Sequence, residues 1–597
     1  MASRVRRSRE LAHAGSGVAR RAASLGSMGG AARPDGDQTL GESMTQKNPL
    51  QMLFQWAEQR PDKPFLFQAV DGRWQPHTWS QVADQVRRMA GALKALLPAG
   101  SAVAISGRNT AHWFMADQAI AMAGMISVGL YPKQSEAHTK FILEHSETRL
   151  VFVGPAPDQD EFMRAIPAGI KTIGLPYSEV PACDLKWDDL IAKHAPLAEA
   201  PNPKADDLLT LIYTSGTTGN PKGVMVTYGN MMFCAQGLQQ VLPPLPSGER
   251  FFSYLPLAHA FERGAVELTS LYFGAEVHFL ENIDKLAEQL AQVAPTRFFA
   301  VPLVYSRIQA GVLRKLPQEK LERLMRIPLL NGFIRRKILK GIGLQNARMC
   351  FSGAAPLPIP LMEWFKKNLK LELLQGYGMT ENSIYATVTR PGKNRIGAVG
   401  QEMPGANMKI DQPDAKGEGE ILYKHPGVTP GYYKDEEKTR ELFTADGYLR
   451  TGDKGRVDQD GYLYITGRVK DIFKTLKGKY VAPAPIEGAM ARNTDIDQLC
   501  LVGSGLKQPI LVVSPTPAAR SKTKEELEKA LIADIDAVNG PLEDHEKIAK
   551  AILVKDSWTI DNGLMTPTMK VKRNEVEKRY HAVLEANDGT KAKVVWE

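Results

Sequence analysis

Tyr213-Thr-Ser-Gly-Thr-Thr-Gly-Asn-Pro-Lys-Gly223 decides the reading of this chain. It follows Leu208-Leu-Thr-Leu-Ile-Tyr213, a short apolar run with the length and residue types of a buried strand. The glycines free backbone N–H groups to point into one space, the hydroxyls of Thr214, Ser215, Thr217 and Thr218 add donors, and Lys222 adds a mobile cation. Such a strand followed by such a loop suits the phosphates of a nucleotide. It is not a Walker A sequence, because Pro221 stands where a glycine should precede the lysine and Gly223 where a Ser or Thr should follow. The bland alternative is a surface loop rich in Gly, Ser and Thr, and so dense a run directly after a strand weighs against it.

The rest of the chain fits a globular protein of several folding units. Its 597 residues exceed one compact core, and length alone suggests roughly three to four units. No apolar run reaches the ~20 residues of a membrane span; the best, Ala119 to Tyr131, is short and broken by glycines. Four widely spaced cysteines (Cys183, Cys234, Cys350 and Cys500) match no metal spacing and read as reduced core thiols of a cytosolic-type compartment. The net charge of +9 is diffuse, which argues against nucleic acid as a partner. Residues 1–43 form an Arg- and Ser-rich, acid-poor extension expected to be disordered; organellar import stays open there, as do internal starts at Met28 and Met44.

From Asn48 onward helices and strands alternate. Pro49 to Gln59 and Trp79 to Leu97 read as helices, the second opened by Thr78 or Ser80. Ala102–Ser106, Ser127–Tyr131, Leu150–Val153, Leu208–Tyr213 and Arg297–Val301 read as strands, a pattern of layered, largely parallel α/β structure. Between 311 and 345 lies a helical segment with nine Lys and Arg against Glu319 and Glu322. It reads as a solvated face or, more sharply, as a basic, Leu- and Ile-backed surface for anionic lipid. Turn density rises after Ile396, as in a small β-rich subdomain, and a helix-rich unit follows Gly467.

The order Thr-Ser-Gly-Thr-Thr-Gly-x-Pro-Lys-Gly closely resembles the phosphate loop of the adenylate-forming superfamily, which holds acyl-CoA synthetases, luciferases and peptide-synthetase adenylation domains. Four further runs extend the resemblance over roughly residues 48–583. Leu374-Gln-Gly-Tyr-Gly-Met-Thr-Glu381 matches the adenine and magnesium motif: Gly376 and Gly378 allow close approach, Tyr377 offers a flat face, Thr380 a hydroxyl and Glu381 a hard oxygen for Mg²⁺. Gly447-Tyr-Leu-Arg-Thr-Gly-Asp453 supplies Asp453 for the ribose diol. Gly461 to Asp471 supplies Arg468 and, at the pivot position, Lys470. Leu564-Met-Thr-Pro-Thr-Met-Lys-Val-Lys-Arg573 carries the family's adenylation lysine at Lys570, although Met569 replaces the usual glycine before it and Lys572 competes for the assignment.

The resemblance implies a large N-terminal domain of layered α/β sheets with a β-rich subdomain (44–467), a hinge (468–471) and a small, mobile α+β C-terminal domain (472–597). It implies ATP, Mg²⁺ and CoA as cosubstrates, with Thr214, Ser215, Gly216, Thr217, Thr218, Gly219 and Lys222 on the phosphates. Thr214, His259, Glu381 and Lys570 are the catalytic candidates. Tyr254-Leu-Pro-Leu-Ala-His-Ala-Phe-Glu-Arg263 and Phe351-Ser-Gly-Ala-Ala-Pro-Leu357 resemble the long-chain acyl-CoA synthetase branch, with His259, Gly264, Gly353 and Ala354 toward the acyl group. Phe473 to Pro483 resembles the loop of the thioester step, with Lys474 and Gly478. The expected activity is conversion of a long- or medium-chain fatty acid to acyl-CoA through an acyl-adenylate. A fatty acyl-AMP ligase serving a carrier protein and a non-catalytic nucleotide or lipid scaffold are the two other readings. Oligomeric state and chain length stay open.

Overall fold

The computed structural model describes residues 47–214, 220–328, 330–493, 495–566 and 570–597. The strand ahead of the phosphate loop spans Leu208–Thr214 and is buried through its centre. It lies near one edge of a seven-stranded sheet ordered Leu185–Lys186, Lys171–Gly174, Thr148–Val153, Ala102–Ser106, Ile126–Gly129, Leu208–Thr214 and Lys222–Thr227. Every pair in it is parallel except the last, where Lys222–Thr227 turns back antiparallel and sets Lys222 opposite Thr214. Parallel strands covered on both faces read as unbroken apolar runs, which is why Ala102–Ser106 is buried at every position.

Helix Ala111–Met122 is buried along its whole length. It packs on the strand pair Ala102–Ser106 and Ile126–Gly129 and on the long helix Trp79–Leu96, so it is mostly small and apolar, and its buried His112, Asp117 and Gln118 hydrogen-bond to Tyr177, Arg263 and Glu267. Thr78, the first of the two expected caps, closes the start of Trp79–Leu96 with a full capping box. Helix Pro49–Gln59 keeps its expected bounds. Expected strands shift by one or two residues at their ends, as at Ile126–Gly129 and Arg297–Ala300, because ladder pairing and not apolarity sets where a strand stops.

A second sheet joins Arg250–Ser253, Glu276–Phe279, Pro64–Val70 and Arg73–Thr78. A third joins Arg297–Ala300, Met349–Ser352, Leu373–Tyr377, Thr387–Val388 and Gln401–Glu402. After residue 396 the chain forms the antiparallel sheet Asn407–Asp411, Gly419–Lys424, Leu449–Val457 and Leu463–Arg468. Beyond the 3-10 turn Val469–Asp471, which holds Lys470, a separate core gathers round the sheet Ile496–Val502, Ile510–Pro515, Lys550–Leu553 and Val594–Trp596 with helix Lys524–Asn539. The result is the mixed α/β architecture of several sheets with a small C-terminal α+β unit. Cys234, Cys350 and Cys500 are buried and Cys183 half-buried, all four as free thiols. The extension 1–43 lies outside the described residues.

The basic segment forms three helices, Pro302–Lys315, Gln318–Met325 and Leu330–Gly341. Leu321 and Val312 turn inward, while Ile327, Leu330 and Phe333 stay in solvent, Phe333 at 64% exposure. No helix among the described residues is long and apolar enough to cross a membrane.

Candidate active site

Thr214 and Lys222 flank the mouth of the phosphate hairpin; Ser215, Gly216, Thr217, Thr218 and Gly219 lie outside the described residues. The Lys222 ammonium sits 4.8 Å from the centre of the Tyr432 ring. Burial, followed by the charge of Lys438, holds it below the usual lysine range, against the pull of Glu381.

Strand Leu373–Tyr377 runs into the 3-10 turn Thr380–Asn382, which buries Thr380 and Glu381. Glu381 Oε1 accepts the Tyr432 hydroxyl proton at 2.8 Å, and its carbonyl accepts from Thr429 N–H at 2.8 Å. Among the described residues no trio of His, Cys, Asp and Glu is assembled to hold a metal ion. One buried carboxylate beside a Thr hydroxyl suits Mg²⁺ arriving on a triphosphate, because that ion keeps most of its coordination for water and phosphate.

Tyr377 is fixed at its far end. Its hydroxyl donates to Asp453 Oδ2 at 2.7 Å, and burial followed by the Asp453 charge keeps the phenol well above its usual range. Asp453 lies in strand Leu449–Val457, in register with Arg468 on the neighbouring strand, whose Nε donates to Oδ1 at 3.1 Å. The flat face expected for a purine and the carboxylate expected for a ribose are therefore one hydrogen-bonded unit. A carboxylate has lone pairs left for a diol after these two bonds.

Lys570 enters from the C-terminal unit. Met565 and Val571 bridge antiparallel, Thr566 N–H donates to the Lys570 carbonyl at 2.8 Å, and Lys570 N–H donates to Thr566 Oγ1 at 3.1 Å. The hairpin so made has its tip, including Met569, outside the described residues. The Lys570 side chain keeps contact with solvent in the cleft. Even so, the protein crowded about it, and after that Arg468, holds its ammonium below the usual range while Asp453 and Glu381 pull the other way. Lys572 instead begins helix Arg573–Asn587, and its charge is felt at His138. An ion pair from Lys133 to Asp561, 2.8 Å long, joins the two units on the same side.

His259 caps the short helix Ala260–Glu262, its Nδ1 accepting from Phe261 N–H at 3.2 Å. Burial, and then Lys570, lowers it to about 4, so its ring is neutral at pH 7. A wall of rings stands nearby: Phe299 stacks on Phe351 at 5.5 Å and meets Phe261 edge-on at 6.4 Å. Gly264 and Gly353 do not leave open room. A β-carbon on Gly264 would fall 2.5 Å from Ile384 Cδ1, and one on Gly353 3.1 Å from the Gly376 carbonyl and 3.6 Å from the Phe261 ring. Ile384 thus crowds Gly264 and the Gly376 backbone crowds Gly353, and Ala354 and Ile384 hold φ of +65° and +57°.

Lys474 and Gly478 stand apart from this group. They occupy an exposed hairpin tied to Gly505 and Leu506, with Gly478 at φ +77°. Lys470, in contrast, is close enough to depress the Lys222 ammonium.

Several residues escape a reading of local pattern. Tyr432 looks like any core aromatic until its hydroxyl reaches Glu381. Glu262, inside the motif that carries His259, accepts from Ser253 Oγ at 2.7 Å and from Tyr254 N–H at 3.2 Å, and burial pushes its carboxyl up to about 8. Its neighbour Arg263, buried, pairs with Asp117 and donates to Thr210 Oγ1 at 2.9 Å, bracing the strand that leads to the phosphate hairpin.

Comparison with known proteins agrees with this geometry. The AMP-binding enzyme family matches residues 53–433, and the AMP-binding enzyme C-terminal domain matches 470–587. A long-chain-fatty-acid–CoA ligase of Mycobacterium bovis is 30% identical over 92% of this chain and 98% of its own. The peroxisomal long chain acyl-CoA synthetase 6 of Arabidopsis thaliana is 31% identical over 81% of this chain and 77% of its own. Among solved structures, o-succinylbenzoate CoA synthetase of Bacillus subtilis, with its acyl-adenylate, superposes with a TM-score of 0.69 at 23% identity over 89% of this chain and 99% of that one. ATP-bound MatB of Rhodopseudomonas palustris gives 0.71 at 23% identity over 90% and 100%. Those two share the fold; the sequence relatives and the family models carry the kinship. The chain belongs to the AMP-binding, adenylate-forming enzyme family.

Proposed function

We propose that this protein is an AMP-forming acid–thiol ligase that activates a long- or medium-chain fatty acid with ATP and passes it to CoA. The observation that carries the reading is the convergence of Lys222, Glu381, Asp453, Arg468 and Lys570 on one cleft, in a chain whose relatives are named for this activity over most of their length.

The fatty acid carboxylate attacks the α-phosphorus; a P–O bond to the acyl oxygen forms and the bond to pyrophosphate breaks. Two anions must approach, and Lys570 from the C-terminal unit, with Lys222 on the departing phosphates, offsets their repulsion. Tyr377 and Asp453 hold the nucleoside, with Arg468 orienting the carboxylate. Neutral His259 orients the acid without adding charge. Mg²⁺ arriving on ATP would be held by Glu381 with hydroxyls of the phosphate loop and of Thr380, and would supply further neutralisation of the triphosphate. The C-terminal unit (472–597) then turns about 468–471, with Lys470 as pivot, and the Lys474 and Gly478 hairpin guides the thiol. The sulfur attacks the acyl carbon, the C–O bond to AMP breaks, and the thiol proton leaves to solvent. Ile384 and Phe261 swing aside to admit the chain past Gly264, Gly353 and Ala354.

The exposed Ile327, Leu330 and Phe333, beside Arg326, Arg336, Lys337 and Lys340, which make no ion pair among the described residues, support contact with an anionic membrane surface. Four free thiols support a reducing, cytosolic-type compartment.

The test is pyrophosphate and AMP release across C2 to C18 acids, with and without CoA. Acid-dependent pyrophosphate with acyl-CoA appearing is expected. No pyrophosphate from any acid removes the enzyme reading, and acyl-AMP that persists in the presence of CoA favours a carrier protein as acceptor.

A further inference from the structure

One tyrosine stands between the two charged side chains that flank the phosphate hairpin. Tyr432 donates its hydroxyl to Glu381 Oε1 at 2.8 Å and turns its ring face to Lys222, whose ammonium lies 4.8 Å from the ring centre. The side chain is buried. Its backbone is stitched to the hairpin: Val224 and Tyr432 bridge antiparallel, Met225 N–H donates to the Gly431 carbonyl at 3.1 Å, and Tyr433 N–H donates to the Gly223 carbonyl at 2.8 Å. Thr429 completes the splint, its N–H donating to the Glu381 carbonyl at 2.8 Å and its Oγ1 to the Met225 carbonyl at 2.6 Å.

Lys222 feels the Glu381 charge, yet its ammonium lies over the Tyr432 ring, and no ion pair joins the two among the described residues. In a half-buried cleft opposite charges that meet attract by several kcal/mol, and a direct pair would consume the groups needed for the nucleotide. Tyr432 satisfies each of them separately, the carboxylate through its hydroxyl and the ammonium through its π face. We infer that Tyr432 is a positioning residue for the triphosphate end of the nucleotide: it holds Glu381 and Lys222 apart and aimed, so that the carboxylate stays available to Mg²⁺ and the ammonium to phosphate. The inference rests on the proposed ATP chemistry and adds a residue outside those assigned above to adenine, ribose and acyl chain.

The experiment measures, on full-length Tyr432→Phe and Tyr432→Leu, the calorimetric Kd for ATP with saturating Mg²⁺, for ATP in EDTA and for AMP. Tyr432→Phe keeps the ring and loses the hydrogen bond to a charged group. Its MgATP affinity is expected to fall about tenfold, with metal-free ATP and AMP binding near the unsubstituted values. Tyr432→Leu also frees Lys222, so metal-free ATP weakens as well while AMP holds. In pyrophosphate formation the half-saturating Mg²⁺ concentration of Tyr432→Phe rises by the same factor, and kcat recovers at high Mg²⁺. Unchanged MgATP affinity in Tyr432→Phe overturns the inference. Equal weakening of AMP and MgATP overturns it too, since that is loss of packing. If the unsubstituted protein binds MgATP but releases no acid-dependent pyrophosphate, the ligase reading fails while the Kd comparison still decides the role of Tyr432.

Discussion

Replacing Lys570 and Lys572 by alanine, one at a time, separates two lysines that local pattern treats alike. Lys570 faces Asp453 and Glu381 across the cleft and, although it keeps contact with solvent, is crowded by protein and by Arg468, so its charge is positioned where negative charge develops. Losing one positioned group that stabilises developing negative charge costs about 10²–10³ in rate, about 2.7–4 kcal/mol. Acid-dependent pyrophosphate release by Lys570→Ala is therefore expected to fall by about that factor, while thioester formation from supplied acyl-AMP persists. Proton NMR of the histidines gives a readout independent of turnover. His259 is held at about 4 by burial first and Lys570 second. Removing a neighbouring cation favours the imidazolium, so the His259 pKa rises in Lys570→Ala, though burial keeps it below that of an exposed histidine. In Lys572→Ala it is His138 that rises, because Lys572 lowers that ring after burial does. Equal loss of adenylation in Lys572→Ala alone, or a His259 that does not move in Lys570→Ala, would refute the assignment.

Lys222 and Lys570 both sit below the usual lysine range through burial, and adenylation needs their charged forms, so its rate falls as pH rises through those depressed values. Lys570→Arg stays charged, and a pH–rate profile of pyrophosphate formation should lose the limb due to Lys570; an identical alkaline limb in that variant counts against it. Arg297 and Glu249 form a 2.8 Å ion pair with both side chains 1% exposed. Arg297→Met leaves a buried carboxylate without its cation and is expected to lower unfolding stability by about 3–5 kcal/mol in denaturant titration, a loss that replacing Glu249 as well by glutamine, which still accepts from Leu245 N–H, should recover in part. Reversing Arg336 and Lys337 to glutamate should weaken sedimentation with phosphatidylserine vesicles by at least about 1 kcal/mol per cation removed, with Phe333→Ala weakening it further; unchanged binding ends the membrane proposal.

Some of this site was legible before any coordinates. The strand, hairpin and lysine at 208–223 announce a phosphate site because donor density and chain flexibility are local properties of residue type. Tyr377, Glu381, Asp453 and Arg468 were legible only through the resemblance of their runs to the adenylate-forming superfamily, since a Gly-Tyr-Gly turn, a turn Asp or a surface Arg is ordinary by itself. The glycines at 264 and 353 were legible as small residues, but what stands over them, Ile384 at one and the Gly376 backbone at the other, is brought there by distant segments. Tyr432 could not be found by pattern: a buried tyrosine is ordinary until folding sets it beside a carboxylate 51 residues away.

By itself the sequence determined the chemical inventory of this protein: a cradle for phosphates, a carboxylate for a hard cation, an acceptor for a diol and a lysine on a late, separate unit. Only the tertiary structure decided which groups meet. It turned Lys570 into the cleft and Lys572 toward His138, because a bridge at Met565 and Val571 closes the hairpin and a helix begins at Arg573. It tied Tyr377 to Asp453 and set Tyr432 between Lys222 and Glu381. Residue type fixes what a side chain can do within a few neighbours, whereas contacts between distant segments are set by the packing of whole sheets, which no local run encodes.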